Sequence, residues 1–255
     1  MTNPADQVRK QFGPAAQAYA TFSYHANGPD LAMIVEAAAF TGNETVIDMG
    51  SGAGHTALAC ARHAARVTGI DLTPEMVEMG ASLAAQRRLT NVEFQVGDVE
   101  RLPFDDASID VATSRVSAHH YADPARAIAE AFRVLRPGGL LIISDTVAPE
   151  APALDTFLNC IELLRDPSHV RDYRGSEWMR MLRAAGFEPE MLHRFPLMLD
   201  GADWVKRQNC PPEKTATIQR LLAEASPTAA AAFETRHEPW GFSIPIAIIR
   251  ALKPA

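Results

Sequence analysis

The chain has 255 residues, of which 47% are hydrophobic and 22% charged. This balance is typical of a globular protein and excludes intrinsic disorder, and the length is near the upper end for one compact domain. The formal net charge of -7 argues against a nucleic-acid substrate, because an acidic surface repels phosphate backbones and the few lysines are scattered.

The cysteines and the N-terminus indicate a cytoplasmic protein. Cys60, Cys160 and Cys210 lie far apart, which fits reduced thiols better than disulfides. The first residues are polar and lack the apolar core of a signal peptide, and no apolar run reaches the roughly 20 residues needed to span a bilayer. The chain has neither a Cys-x-x-Cys pair nor a His-x-x-x-His pair, so we expect no metal and no membrane partner.

Strand and helix patterns alternate through the first two thirds of the chain. The predicted strands are Thr45–Met49, Arg66–Asp71, Val92–Val96, Ile109–Ser114 and Leu140–Asp145. The predicted helices between them are Thr56–His63, Pro74–Arg88 and Pro124–Leu135, and "RPGGLL" is interpreted as a turn that ends the last helix. This alternation is typical of an α/β, doubly wound, Rossmann-like sheet with helices on both faces.

The last third continues the same sheet. The stretch "APALDTFLNCIELLRDP" predicts an amphipathic helix, and "SEWMRMLRAAGF" predicts another with Ser176 as its N-cap and Gly186 as its stop. Strands are expected near Met191–Leu197 and at Phe242–Leu252, which brings the sheet to seven strands, mostly parallel, with the last one antiparallel.

We expect a single domain with three parts. Residues 1–42 form a helical cover, residues 43–148 form a cofactor-binding core, and residues 149–255 complete the sheet with a helical insertion at about 203–237.

The segment "TVIDMGSGAGHTALACA" joins a buried strand to a helix through Gly50, Gly52 and Gly54. Glycines at this place let a ligand approach the backbone closely. The dinucleotide fingerprint Gly-x-Gly-x-x-Gly fails here, because its last position is His55. A carboxylate at Asp48 would oppose a diphosphate and attract a cation, by roughly 4 kcal/mol at about 4 Å and an effective dielectric near 20. The loop therefore favours S-adenosyl-L-methionine, a nucleoside with ammonium and sulfonium groups.

Four segments in the same order and spacing carry a resemblance to a known family: "VIDMGSGAGH", "VTGIDLTPEMVEMG", "FQVGDVERLPFDDASIDVATSR" and "AFRVLRPGGLLIISD". Over roughly residues 43–147 the chain resembles the class I S-adenosylmethionine-dependent methyltransferases. Within them it is similar to the small-molecule, ubiquinone/menaquinone-methyltransferase-like "methyltransferase domain 11" type.

The resemblance implies a set of cofactor contacts. Asp48 would orient the loop and contact the cofactor ammonium, directly or through water, beside Gly50, Ser51 and Gly52. Asp71 would accept the ribose hydroxyls, Leu72 would pack on adenine, and Asp98 and the Val99 N–H would face the ring. As simpler alternatives, Asp71 caps the turn before Pro74 and Asp98 is an ordinary turn residue. The remaining expected cofactor contacts are His55, Met76 and Arg115. The alternative for Arg115 is that it only forms a salt bridge with a neighbouring acid.

Catalysis is expected after the fourth strand, in "SRVSAHHYADP". His119 and His120 are the candidate bases, and the alternative is that both only pack or cap the turn. The absence of an Asn/Asp-Pro-Pro-aromatic motif here argues against base N-methylation. Candidate substrate contacts are Phe12, Tyr19, Tyr24, His169 and Tyr173. For the N-terminal aromatic residues, which are Phe12, Tyr19, Phe22 and Tyr24, the alternative is that they pack on the sheet.

The expected function is methylation of a small-molecule acceptor on oxygen or carbon by a monomer or homodimer. The alternatives are a protein of the same fold that binds S-adenosylmethionine but catalyses a non-methylation step, and a binding module without turnover. A nicotinamide dehydrogenase is disfavoured by Asp48 and His55.

Overall fold

The computed structural model describes residues 4–14 and 23–255. The predictions for Tyr19 and Phe22 lie outside these residues. Helices α1 (Pro4–Phe12), α2 (Ser23–Asn27) and α3 (Pro29–Ala38) precede the first strand. Proline stands at the first position of α3, where its missing N–H leaves no helical hydrogen bond unmade.

The central part of the chain alternates strands with helices. Its elements are β1 (Thr45–Met49), α4 (His55–Cys60), β2 (Arg66–Asp71), α5 (Pro74–Gln86), β3 (Val92–Val96), β4 (Ile109–Arg115), a 3-10 turn (Ala118–His120), α6 (Pro124–Val134) and β5 (Leu135–Thr146). The predicted bounds of β1, β2 and β3 are confirmed, and the predicted helices here each end one to three residues later than the observed ones.

The C-terminal part adds helices outside the sheet and three more strands. Its elements are α7 (Pro152–Arg165), α8 (Gly175–Ala184), β6 (Glu188–Asp200), α9 (Gly201–Arg207), α10 (Pro212–Ala223), α11 (Pro227–Ala232), β7 (Arg236–His237) and β8 (Trp240–Leu252). Both long strands extend beyond their predicted bounds, because β6 and β8 pair along almost their whole length.

The eight strands of the described residues form one sheet in the order β3-β2-β1-β4-β5-β8-β6, with β7 paired to β8. Strands β1 to β5 pair in parallel, and β8 runs antiparallel to both β5 and β6. The α/β fold with a mostly parallel sheet is confirmed. Seven strands form the path of the sheet, as predicted, with the last one antiparallel; the short β7, off this path, forms at the end of the stretch that was predicted to be helical.

Alternate residues of the strands pack against helices on opposite faces of the sheet. Val46 and Val67 contact α3 and α4 on one face. Ile47 and Ile70 belong to the core that contains residues of α6 and α8 on the other face. All four side chains are fully buried, as expected for parallel strands covered on both sides.

The segment after α6 forms a bulge within β5 and not the predicted turn. Ile109 of β4 pairs with Leu135, and Val111 pairs with Leu140, so the residues between them leave the register. Gly138 has a φ of +79°, and its N–H donates to the carbonyl of Lys253 at 2.8 Å. Strand β5 therefore begins five residues before its predicted start at Leu140.

Helix α8 begins two residues before the start that its predicted N-cap implies. Its N-cap is Arg174, and the Glu177 side chain accepts the Arg174 backbone N–H at 2.9 Å. Ser176 was predicted as the cap, but its hydroxyl donates to Glu150 at 2.6 Å. Gly186, with a φ of +102°, follows the last turn, as predicted for the stop.

Helices α7, α9, α10 and α11 cover the outer sheet strands through a separate apolar cluster. Trp204 and Phe233 are its largest helix-side members, and Phe242 and Ile244 belong to β8. Within residues 4–14 and 23–255, no helix has the length and apolar character required to span a bilayer.

Candidate functional site

A cleft with about 1180 Å³ of empty volume opens at the carboxyl ends of β1, β2 and β4. This is the edge where ligands bind in open parallel sheets. The cleft is lined by the loop after β1, by residues that follow β2, β3 and β4, and by α1, which contributes Ala5, Val8 and Phe12. Helix α1 thus covers the cleft, and its Arg9 donates to the Leu72 carbonyl at 3.2 Å.

Two glycines of the loop after β1 have different structural roles. Gly54 has a φ of +87°, and a Cβ there would lie 2.5 Å from the Phe94 ring, so its small size lets the loop pack on β3. Gly52 has a φ of +52° and lines the cleft, and a Cβ there would meet no protein atom within 4 Å. The open space at Gly52 is a place where a ligand can approach the backbone closely.

Asp48 lies behind this loop and does not line the cleft. It is 1% exposed, its Oδ2 accepts the Ala57 N–H at 3.1 Å, and its Oδ1 accepts the Thr113 hydroxyl at 2.8 Å. Burial raises its pKa to about 7, although both hydrogen bonds oppose this shift. Because Asp48 is not among the residues that line the cleft, the predicted direct contact with a cofactor ammonium and the electrostatic selection argued from it are corrected, whereas a contact through water stays a prediction. Its geometry fits the other predicted role, orientation of the loop.

Asp71 joins the loop to the end of β2 and faces the cleft. Its Oδ2 accepts the Gly52 N–H at 2.7 Å and its Oδ1 accepts the Thr73 N–H at 2.9 Å. Burial raises its pKa. Asp71 thus has the turn-capping role that was its alternative and also lines the cleft, where each carboxylate oxygen retains a second lone pair.

All the other predicted cofactor contacts also line the cleft: Gly50, Ser51, His55, Leu72, Met76, Asp98, Val99 and Arg115. Asp98 also has the ordinary turn role that was its alternative, because its Oδ1 accepts the Glu100 N–H at 2.9 Å.

Arg115 borders the cleft, but its guanidinium is held by protein groups. It forms an ion pair through two nitrogens with Asp30, which is fully buried, and donates to the carbonyls of His25 at 2.9 Å and Tyr24 at 2.8 Å. The predicted cofactor contact is corrected to the alternative salt bridge. Through it, β4 holds α2 and the first turn of α3.

A hydroxyl network at the base of the cleft was not predicted from the sequence. The Tyr121 hydroxyl lies 3.0 Å from the Met49 carbonyl, to which it donates, and 3.0 Å from both the Ser114 and Ser117 hydroxyls. Burial raises the pKa of Tyr121, so the phenol stays neutral. The aromatic residue directly after the two histidines was the available signal.

His119 is paired with a buried carboxylate at the end of β5. Its Nδ1 lies 2.7 Å from Asp145 Oδ1, and the second Asp145 oxygen accepts the Ala118 N–H at 2.7 Å. Burial opposes protonation of the imidazole, but the Asp145 charge outweighs it and raises the pKa of His119 to about 9. His119 is therefore a cation at neutral pH.

His120 has the opposite protonation state. Burial and the adjacent His119 lower its pKa to about 4. Its Nδ1 lies 3.1 Å from the Ser168 carbonyl, which only accepts, so Nδ1 carries the proton and Nε2 carries the lone pair. A neutral imidazole with this tautomer is able to accept a proton at Nε2.

A second cavity, with about 610 Å³ of empty volume, adjoins the cleft. The residues that line both are Phe12, His25, Val116 and His120. The strands β6 and β8 contribute apolar side chains to its wall, and α7, α9 and the segment after α7 contribute charged ones. The two spaces meet at His120.

The predicted substrate contacts have separate outcomes. Phe12 lines both cavities, with its ring 4.9 Å from that of His120, and Tyr24 lines the second one.

His169 lies behind His119, with ring centroids 5.7 Å apart, and its Nε2 is 3.1 Å from Asn159 Oδ1. Tyr173 lines neither cavity, because its ring packs edge-on against Trp178 at 5.7 Å. The last two predictions are corrected to packing positions.

The cleft has features that suit a polar nucleoside. Ser51 Oγ is buried without a hydrogen-bond partner among the described residues, Gly52 leaves open space, and Asp71 has spare acceptor capacity. In the described parts of the chain, no group of three or more His, Cys, Asp or Glu side chains is arranged to hold a metal ion.

Residues 47–143 match a family described as "Methyltransferase domain". The chain is 36% identical over 246 residues to the uncharacterized methyltransferase YcgJ of Bacillus subtilis, covering 95% of this chain and 97% of that protein. It is 34% identical over 115 residues to the ubiquinone/menaquinone biosynthesis C-methyltransferase UbiE of Citrifermentans bemidjiense, covering 44% of this chain and 49% of that protein.

Solved structures resemble the whole architecture. The crystal structure of YcgJ superimposes with a TM-score of 0.85 and covers 88% of this chain and 98% of that one. A putative methyltransferase from Bacillus halodurans, 35% identical, superimposes with a TM-score of 0.86 over 89% of this chain and all of that one. Both likenesses extend well beyond the residues matched by the domain family.

Proposed function

The chain belongs to the class I S-adenosylmethionine-dependent methyltransferases, and from this we propose that it methylates an oxygen or carbon atom of a small-molecule acceptor. The observation that carries the proposal is the junction of the two cavities at His120. An enzyme that transfers a methyl group in line has to align two ligands end to end, and adjoining cavities suit that task.

We place S-adenosylmethionine in the cleft, where it would supply a methyl group activated by the sulfonium. Asp71 is proposed to accept the ribose hydroxyls, with Leu72, Met76 and Val99 around the adenine. Asp98 is proposed to accept the adenine amino group. Gly50, Ser51 and Gly52 are proposed to contact the amino-acid end, while Asp48 holds α4, which follows their loop, through the Ala57 N–H.

The acceptor is proposed to occupy the second cavity with its reacting atom beside His120. His120 Nε2 takes the proton from a hydroxyl or an acidic carbon as the new O–C or C–C bond forms and the electron pair of the broken S–C bond stays on sulfur. His119, held by Asp145, remains a cation and fixes the turn that carries His120. His120 is thus the proposed base, and His119 is a positioning residue.

The test is incubation of the full chain with cofactor labelled on its methyl group and with fractionated metabolites of the host. The expected result is a labelled small molecule together with S-adenosylhomocysteine. Cofactor consumption that leaves the label out of every small molecule would contradict the proposal, as would failure of calorimetry to detect S-adenosylhomocysteine binding. Conversion of a metabolite with the cofactor unchanged would favour a non-methylation step.

A further inference from the structure

The segment that follows α7 is hydrogen-bonded to the turn that carries His120. The N–H groups of Val170 and Arg171 donate to the His119 carbonyl at 2.9 Å and 3.1 Å. In the same segment, the Ser168 carbonyl lies 3.1 Å and the Ser168 hydroxyl 3.3 Å from His120 Nδ1. Both oxygens of Ser168 therefore face the same nitrogen of the imidazole.

Asp166, at the C-terminal end of α7, is held as a carboxylate by three neutral donors. Its Oδ1 accepts the Ser168 N–H at 2.8 Å and the Ser168 hydroxyl at 2.6 Å, and its Oδ2 accepts Gln208 Nε2 at 2.7 Å. Hydrogen bonds to the charged form of a carboxyl group favour that form. Burial opposes ionisation, but the nearby His120 and the Ser168 hydrogen bonds outweigh burial and lower the pKa of Asp166. Asp166 therefore accepts the hydroxyl hydrogen of Ser168 and does not donate to it.

The direction of the Ser168 hydroxyl determines what His120 Nδ1 can do. Because the hydroxyl hydrogen points to Asp166, both Ser168 oxygens present lone pairs to Nδ1. An imidazole nitrogen that faces only acceptors keeps its proton, so the lone pair stays at Nε2. A hydroxyl that is free to turn can donate to Nδ1, which stabilises the opposite tautomer, with the proton on Nε2.

Asp166 is itself oriented from the side of the cofactor cleft. Gln208, which donates to Asp166, accepts Gln11 Nε2 at 2.8 Å through its Oε1 and at 3.0 Å through its backbone carbonyl. Gln11 belongs to α1, the helix that covers the cleft. One chain of hydrogen bonds thus runs from α1 through Gln208, Asp166 and Ser168 to His120.

We propose that Asp166 is a positioning residue for His120, which orients the Ser168 hydroxyl so that the lone pair of the imidazole stays at Nε2. The inference rests on the proposed function, because the tautomer matters for the reaction only if His120 is the base. Asp166 lines neither cavity, so it acts through Ser168 and not on a ligand.

The tautomer of His120 is measured by ¹⁵N NMR near neutral pH. The full chain is labelled in its histidines and saturated with S-adenosylhomocysteine, and the two ring signals of His120 are assigned by their loss in His120→Ala. In the wild type we expect the proton on Nδ1 and the lone pair on Nε2.

Two substitutions of Asp166 separate its hydrogen bond from its mere presence. In Asp166→Ala the hydroxyl of Ser168 is free to turn, and we expect the ratio of the Nε2–H to the Nδ1–H tautomer to rise at least about fivefold, the effect of about one hydrogen bond. Asp166→Asn retains an acceptor for Ser168 and is expected to keep the ratio within about twofold of the wild type.

Removal of the hydroxyl tests whether Asp166 acts through it. Ser168→Ala leaves only the carbonyl at Nδ1, so we expect a ratio within about twofold of the wild type. Asp166→Ala combined with Ser168→Ala is expected to stay within the same about twofold limit, because no hydroxyl remains to donate to Nδ1. Asp105→Ala, at an exposed aspartate, is the matched control and is expected to leave the ratio unchanged.

The dissociation constant of S-adenosylhomocysteine in each variant reports whether the chain is folded. Asp166→Leu, which fills the space of the carboxylate, replaces Asp166→Ala if the latter does not bind this ligand, and the same rise is expected.

A wild-type His120 with its proton on Nε2 would overturn the inference. So would an unchanged ratio without the carboxylate, or an equal rise in Asp166→Ala and in the double variant. These outcomes leave the methyltransferase proposal standing, because the transfer of label to a small molecule is measured separately.

Discussion

At the residue scale, two adjacent histidines have opposite protonation states because their partners differ. His119 faces the Asp145 carboxylate, whereas His120 faces the Ser168 carbonyl and the charge of His119. The ring centroids of the two histidines are only 4.1 Å apart. In the proposed reaction, His120 accepts its proton beside the positive charge of His119, which lowers the pKa of His120 and keeps it neutral beforehand.

Replacement of the proposed base tests its role. We expect His120→Ala to lower kcat by at least about 100-fold, because general-base catalysis contributes about 10² to 10⁴ in rate. The affinity for S-adenosylhomocysteine should change little. His193→Ala, at an exposed histidine of β6, is the matched control. A kcat reduced by less than about tenfold would show that the reaction does not need this base.

The His119–Asp145 pair predicts a pH-dependent stability. The folded-state pKa of His119, about 9, exceeds its ordinary value of 6.5, so protonation stabilises the fold fully below about pH 6.5. This stabilisation is lost as the pH rises from about 6.5 through about 9. We expect the free energy of unfolding of the wild type, measured with urea, to fall towards that of His119→Gln over this range. A difference that stays constant across it would contradict the pairing.

At the element scale, the loop between β1 and α4 gives a test of the cofactor site. In Gly52→Ala the new methyl group projects into the open space of the cleft. We expect the dissociation constant of S-adenosylhomocysteine to rise at least about tenfold. Gly42→Ala is the control for backbone strain, because Gly42 also has a positive φ and open surroundings but does not line the cleft. Equal cofactor affinities in the two variants would contradict the placement of the ligand.

The sequence predicted the elements better than it predicted where the side chains point. The bounds of β1, β2 and β3 follow from short apolar runs between turn residues. The orientation of Asp48 depends on Thr113, and the role of Arg115 depends on Asp30, 85 residues earlier in the chain. A single sequence contains no signal for such distant partners. Asp48 and Arg115 were therefore both predicted to contact the ligand.

At the scale of the whole molecule, the cleft joins parts of the chain from α1 to the turn after β4, and β8 joins β5 to β6. We therefore expect the chain to unfold as one cooperative unit that S-adenosylhomocysteine stabilises throughout. At a ligand concentration of 100 times the dissociation constant, the expected gain is about 2.7 kcal/mol. Calorimetric scans should contain one transition that moves upward with ligand, and two transitions of which only one moves would contradict a single domain.

The position of β8 also determines when the sheet can be completed during synthesis on the ribosome. Strand β6 leaves the ribosome before β8, yet in the sheet it pairs only with β8, which separates it from β5. Until Trp240–Leu252 has emerged, the outer edge of β5 stays unpaired and the nascent chain exposes a template for association with other strands. Of the strands described here, β8 is thus translated last, and it fills the gap between β5 and the edge strand β6.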